Sequence, residues 1–124
     1  MNPRRQNGSR RTRDRERLKA EERPCWICRA FGRVGRIDYS LPAGHPLSFE
    51  MDELLPVSKG GPPTYENADA AHRCCNEWRG NRSVEEVRRL GAISRAGAGH
   101  GMTEGEGVAA RKIETPPGSP PFGR

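Results

Sequence analysis

The chain predicts a small α+β domain whose apolar residues are too few to hold it together alone. Three observations lead there. Hydrophobic residues make up 32% of the 124, and the mean hydropathy is -0.92, so any core is thin. Cysteine and histidine recur in pairs with two residues between them, Cys25 with Cys28 and His72 with Cys75. Between these pairs Leu47, Phe49 and Met51 alternate with polar residues, the period of a half-buried strand, whereas Val84, Val87 and Leu90 share a helical face. Domains with so little core usually need disulfides or a metal as a staple.

The elements follow in order. Residues 1–22 form a basic arm in which Arg4, Arg5, Arg10, Arg11, Arg13, Arg15, Arg17 and Lys19 crowd together. The arm is expected to be disordered alone and helical over Arg13–Glu22 when bound, with Pro24 stopping it. A folded domain spans 23–91. Cys25 to Cys28 reads as a knuckle. Gly32 and Gly35 break the chain before Arg36-Ile37-Asp38-Tyr39, an expected short strand, and Pro42 to Pro46 is a loop. The alternating strand continues through Leu54 and Leu55 until Pro56. Lys59-Gly60-Gly61-Pro62-Pro63 is another loop. Ala68 to Trp78 favours helix, ending at Gly80. Ser83 with Glu86 forms a capping box for Val84–Leu90. After Gly91 come glycine, alanine and proline with few large apolar side chains, so 92–124 is expected to be a disordered tail.

Charge narrows the class. The formal net charge is +6, and basic chains of this size attract polyanions because phosphate contacts release condensed counterions. The alternative for the arm is a solvated segment that only aids solubility. A second basic group, Arg73, Arg79, Arg82, Arg88 and Arg89, flanks the candidate site. No run is long and apolar enough to span a bilayer, and the N-terminus lacks the apolar core of a secretory signal. A cytoplasmic location is therefore expected, where paired cysteines more often hold metal than form disulfides.

Cys25, Cys28, His72 and Cys75 make a Cys3His set, a common tetrahedral zinc shell. Cys74 competes with Cys75. If Ala70–Trp78 is helical, residues three apart lie on one side and residues two apart do not, which favours His72 with Cys75. The alternatives are reduced core cysteines or disulfides in a secreted chain. An ion here would close a loop of about 45 residues and add stability that apolar burial cannot supply.

A second constellation looks catalytic. Asp52 and Glu53 are adjacent on a strand, so their side chains face opposite sides. One can bind a hard cation while the other activates water. Asn76, next to Cys75, can offer an amide oxygen to the same cation, and a site with few protein ligands and several waters suits Mg2+. Adjacent acids alone are usually surface charge.

Taken in order, Cys25 to Cys28, Asp52-Glu53-Leu54-Leu55-Pro56, Gly60-Gly61, Asn67, His72 to Cys75 and Asn76 resemble the HNH endonuclease family. The match covers about residues 24–82, and within it Ile37-Asp38-Tyr39-Ser40-Leu41-Pro42 with Phe49-Glu50-Met51-Asp52 looks like members from actinobacteria and their phages. The resemblance implies a ββα-metal finger stapled by zinc. It implies Asp52 and Asn76 as ligands of a catalytic divalent cation such as Mg2+, Asn67 as the residue that holds the loop and orients the base, and Cys25, Cys28, His72 and Cys75 as the zinc ligands. The implied activity is hydrolysis of DNA phosphodiester bonds. Arg73, Arg79 and Arg82 would grip backbone phosphates, and phage-type members resemble helpers of terminase in genome packaging. Glu53 stands where the family usually has histidine. A carboxylate near pKa 4.3 is a weaker base than imidazole near 6.5, unless burial raises it. Glu53 is thus a base, a further metal ligand, or the mark of an inactive site in a zinc-stapled DNA-binding or packaging-accessory protein.

Overall fold

The computed structural model describes residues 3–101 and Pro120, with side chains from residue 8 to 97. Helix α1 (Pro3–Ala20) is followed by a short helix α2 (Trp26–Ala30), strand β1 (Phe49–Glu53), strand β2 (Ala68–His72), helix α3 (Arg73–Arg79) and helix α4 (Val84–Gly101). Single 3₁₀ turns occupy Val57–Lys59 and Tyr65–Asn67. The described part is thus a small α+β unit with one two-stranded antiparallel sheet.

The hairpin is the centre of the architecture. β1 pairs with β2 in the register Phe49↔His72 to Glu53↔Ala68. The ladder overrides the helical preference of an alanine-rich segment, so Ala68–His72 is a strand and only Arg73–Arg79 is the expected helix. Alanine suits the strand because both faces are covered; Ala70 and Ala71 are fully buried. Alternation sorts β1 into two faces. Glu50 and Asp52 look toward α3, where they meet Asn76 and Arg79. Phe49 and Glu53 look toward α1, where they meet Arg15 and Arg11.

The expected strand over 36–39 does not form. Its backbone is engaged otherwise: Gly35 O accepts from Cys25 N and Arg36 O faces His72 Nε2. Nor is the N-terminal segment a loose arm. α1 carries no apolar stripe, yet Leu18 is fully buried and its arginines lie over aromatic rings, Arg15 5.3 Å from the centre of Phe49 and Arg17 3.8 Å from that of Tyr65. Arg10 donates to Pro63 O, and Tyr65 Oη donates to Glu21 at 2.5 Å.

The remaining difference concerns Gly91. It does not open a tail; α4 continues to Gly101. A Cβ at Gly91 would stand 2.1 Å from Ala30 O, so the missing side chain is what lets α4 lie against α2. Ser83 Oγ caps the helix by accepting from Glu86 N at 3.0 Å, and Val87 is fully buried. The rest of the expected tail, 102–119 and 121–124, lies outside the described residues.

The core is small and partly made of sulfur. Cys25, Cys28 and Cys75 are packed with Trp26, Ile27, Phe31 and Ile37. None of the cysteines is in a disulfide. No helix among the described residues is long and apolar enough to cross a membrane.

Candidate functional site

Cys25, Cys28, His72 and Cys75 converge, with their ligand atoms all within 4.8 Å of one another, and all four are buried. Two chain segments deliver them. Cys25 caps α2, its Sγ accepting from Cys28 N at 3.4 Å, and the turn brings Cys28 round to the same side. His72 ends β2 and Cys75 lies in the first turn of α3, so the strand-to-helix junction supplies the second pair. Cys74 is not in the cluster; its backbone N donates to Pro46 O.

The spacing fits a tetrahedral ion. Cys28 Sγ is 3.7 Å from Cys75 Sγ and 3.4 Å from His72 Nδ1, and Cys75 Sγ is 3.8 Å from His72 Nδ1. Zn–S bonds of about 2.3 Å imply an S···S edge of about 3.8 Å. His72 Nε2 lies 3.0 Å from Arg36 O. A proton on Nε2 for that carbonyl leaves the Nδ1 lone pair for a metal, the usual outer support of a histidine ligand. The cluster can therefore hold one structural metal ion such as zinc. Without a cation these groups share protons. Hydrogen bonds from Cys28 and Cys75 pull the Cys25 thiol well below its ordinary range. Hydrogen bonding to Cys25 and Cys28 pushes Cys75 up, and the same two sulfurs hold His72 up at about 10. An entering cation displaces those protons.

Across the α3–β1 interface the structure sets two polar pairs side by side. Asn76 Nδ2 donates to Glu50 Oε1 at 2.9 Å, and Arg79 donates to Asp52 Oδ2 at 2.6 Å. Trp26 Nε1 donates to the same Asp52 oxygen at 2.8 Å. Burial pushes Asp52 above the ordinary carboxylate range, while Arg79 pulls the other way without reversing it. Asp52 and Asn76 thus share an interface, but the acid that Asn76 meets is Glu50. Glu50 was legible in principle: two residues before Asp52 on a strand, it must face the same way.

Glu53 looks out on the opposite face. Together with Arg10, Arg11, Asp14, Met51 and Asn67 it lines a cleft of about 250 Å³ under α1. Its side chain is 32% exposed, with Arg11 3.3 Å away. Asn67 clamps the loop after β1. Its Oδ1 accepts from Leu55 N at 3.0 Å, and its Nδ2 donates to Leu55 O and Pro62 O at 2.8 and 3.1 Å. Gly61 is needed there, because a Cβ would stand 1.8 Å from Leu55 O.

The arginines expected at phosphates have other partners. Arg79 is 4% exposed and enclosed by Asp52, Glu53 O, Leu54 O and Arg82 O, so it is not a surface cation. Arg73 bridges Glu50 and Glu77 and donates to Gly44 O. Arg82 lies 4.4 Å over the Trp78 ring and donates to Trp78 O. Charge is visible in a sequence; enclosure is not.

Comparison with protein-family models, curated proteins and solved structures yields no match.

Proposed function

We propose that this chain is an endonuclease of the HNH type that hydrolyses DNA phosphodiester bonds. One observation carries the reading. A hairpin followed directly by a helix hangs on a Cys3His cluster, and within it Asn67 holds the loop that leaves Glu53 at the mouth of a cleft lined by arginines. The hairpin, the helix after it and a cluster able to hold zinc support the reading of a ββα finger. In the cleft Glu53 accepts a proton from the attacking water. Arg10 and Arg11 lie where they can balance phosphate oxygens. A bound phosphate draws Arg11 from Glu53 and leaves that carboxylate free to act as base.

The divalent cation implied at Asp52 and Asn76 does not fit those residues as they stand. One Asp52 oxygen already accepts from Arg79 and Trp26, and the Asn76 amide group is turned to Glu50. No step is routed through that cation. The same observation favours a second reading, DNA binding without cutting.

The two readings separate on supercoiled plasmid, using metal-loaded full-length protein with Mg2+, Mn2+ or Ni2+. The nuclease reading expects nicked or linear product with at least one metal, none with Glu53→Gln, and retained or higher activity with Glu53→His. DNA bound but uncut under all three metals sinks it in favour of the second.

A further inference from the structure

The hairpin has another side. Arg23 before α2, Arg29 on α2 and Arg88 on α4 converge on a recess of about 410 Å³, with Asp69 at its wall. By strand alternation Asp69 shares its face with Asp52, so this recess opens away from Glu53. Arg23 reaches Asp69 at 3.1 Å and Glu21 at 3.5 Å. The side chains of Arg29 and Arg88 are exposed and make no hydrogen bond or ion pair among the described residues. The recess therefore keeps an excess of positive charge. A second recess of about 590 Å³ adjoins it, sharing Pro24 and Arg29, and adds Lys19 and Arg36 against Glu22 and Asp38.

We propose that this strip, Arg88 and Arg29 with Arg36 beyond, is a seat for the phosphodiester backbone of nucleic acid, separate from the cleft at Glu53. The physical reason is repulsion. Arg29 and Arg88, brought to one recess from separate elements with no acid paired to either among the described residues, raise the energy of the free protein, and a polyanion removes that cost while releasing its own counterions. The strip is open and runs across two recesses, so it suits a chain of regularly spaced charges rather than one enclosed anion. The backbone is gripped without base reading, because phosphate contacts position and do not specify. The inference rests on the nucleic-acid reading above, but it does not need catalysis.

The test uses full-length, metal-loaded protein and a fluorescent duplex DNA of arbitrary sequence, with affinity followed against salt by anisotropy. Arg29→Ala with Arg88→Ala is compared with wild type and with Arg89→Ala, an exposed arginine outside the recess. Circular dichroism and metal content establish that each variant is folded. The double variant is expected to lose about 2 from the slope of log affinity against log salt, at about 0.9 per phosphate contact, and to bind at least about tenfold more weakly at physiological salt. Arg29→Lys with Arg88→Lys should keep most of the slope. The same slope for the double alanine variant and wild type overturns the proposal, as does tighter binding of polyglutamate than of DNA. Wild type that neither binds nor shifts with salt overturns it too. Nicking measured in parallel separates the two ideas. Lost slope without any cutting leaves the seat standing and removes the nuclease. Unchanged slope with normal cutting does the reverse.

Discussion

At Arg79 one guanidinium reaches acceptors on both sides of the α3–β1 interface: Asp52 Oδ2 and Glu53 O on the strand, Leu54 O just after it, and Arg82 O beyond the helix. This fork fastens the end of β1 to the end of α3, just before the loop that Asn67 clamps. Removing one partner of an enclosed pair leaves the other charge without compensation. Arg79→Met is therefore expected to lower stability by about 3–5 kcal/mol, read by urea unfolding of the metal-loaded protein. Arg79→Lys should recover only part, since an ammonium cannot make the bidentate reach. A loss below about 1 kcal/mol for the methionine variant would place this pair with ordinary surface ion pairs. Glu53 gives the opposite case. Its pair with Arg11 is half in solvent, with side chains 52% and 32% exposed, so Glu53→Gln should change stability by less than about 1 kcal/mol. Any loss of cutting by that variant then reports chemistry rather than folding.

At the scale of elements, two glycines decide how pieces meet. A Cβ at Gly61 would overlap Leu55 O at 1.8 Å, and one at Gly91 would overlap Ala30 O at 2.1 Å. In both cases the obstacle is backbone, which cannot swing aside as a side chain does. Each glycine-to-alanine change should cost about 1–3 kcal/mol, as overpacking does. Gly61→Ala should also alter the loop beside Glu53, visible as faster amide exchange at Leu54 and Leu55. Unchanged melting of Gly91→Ala would mean that α4 does not lie on α2 as described. The features legible in the sequence were the local ones. The Ser83 cap, the alternation of Phe49 and Met51, and the paired gaps of Cys25, Cys28, His72 and Cys75 each depend on neighbours a few residues away. What was not legible depends on distant partners. Ala68–His72 reads as helix until β1 is beside it, and Gly91 reads as a terminus until Ala30 is against it. The arginines of α1 read as a tail until Phe49 and Tyr65 lie beneath them.

For the whole molecule the Cys3His cluster, which can hold a structural metal ion, carries the largest expected effect on stability. A structural zinc ion contributes about 10–16 kcal/mol in small peptides that fold around it, as much as the entire net stability of a typical domain, about 5–15 kcal/mol. Here the four candidate ligands are also buried, so without an ion three sulfurs and an imidazole are enclosed with protons to share. Chelation should abolish the cooperative melt, and one equivalent of Zn2+ should restore it; a chelator-treated chain that melts unchanged would refute the staple. Acid has two opposed effects. Protons compete with the ion for the same four atoms, so the metal-dependent share of stability falls as pH falls. Asp52 and Asp69 work against that trend. Burial raises both above the unfolded value, so as pH falls through the raised folded pKa toward the unfolded one the folded state holds more protons than the unfolded chain and gains stability. These two carboxylates therefore do not drive acid unfolding, and loss of an ion from the cluster is the expected cause. Melts from about pH 8 to about pH 5 should fall together with metal content measured on the same samples. Asp69→Asn should leave the pH of metal loss unmoved and remove only its own share of the opposing slope, with that of Asp52 remaining. Unfolding on acidification with the ion still bound would assign acid sensitivity to some other group.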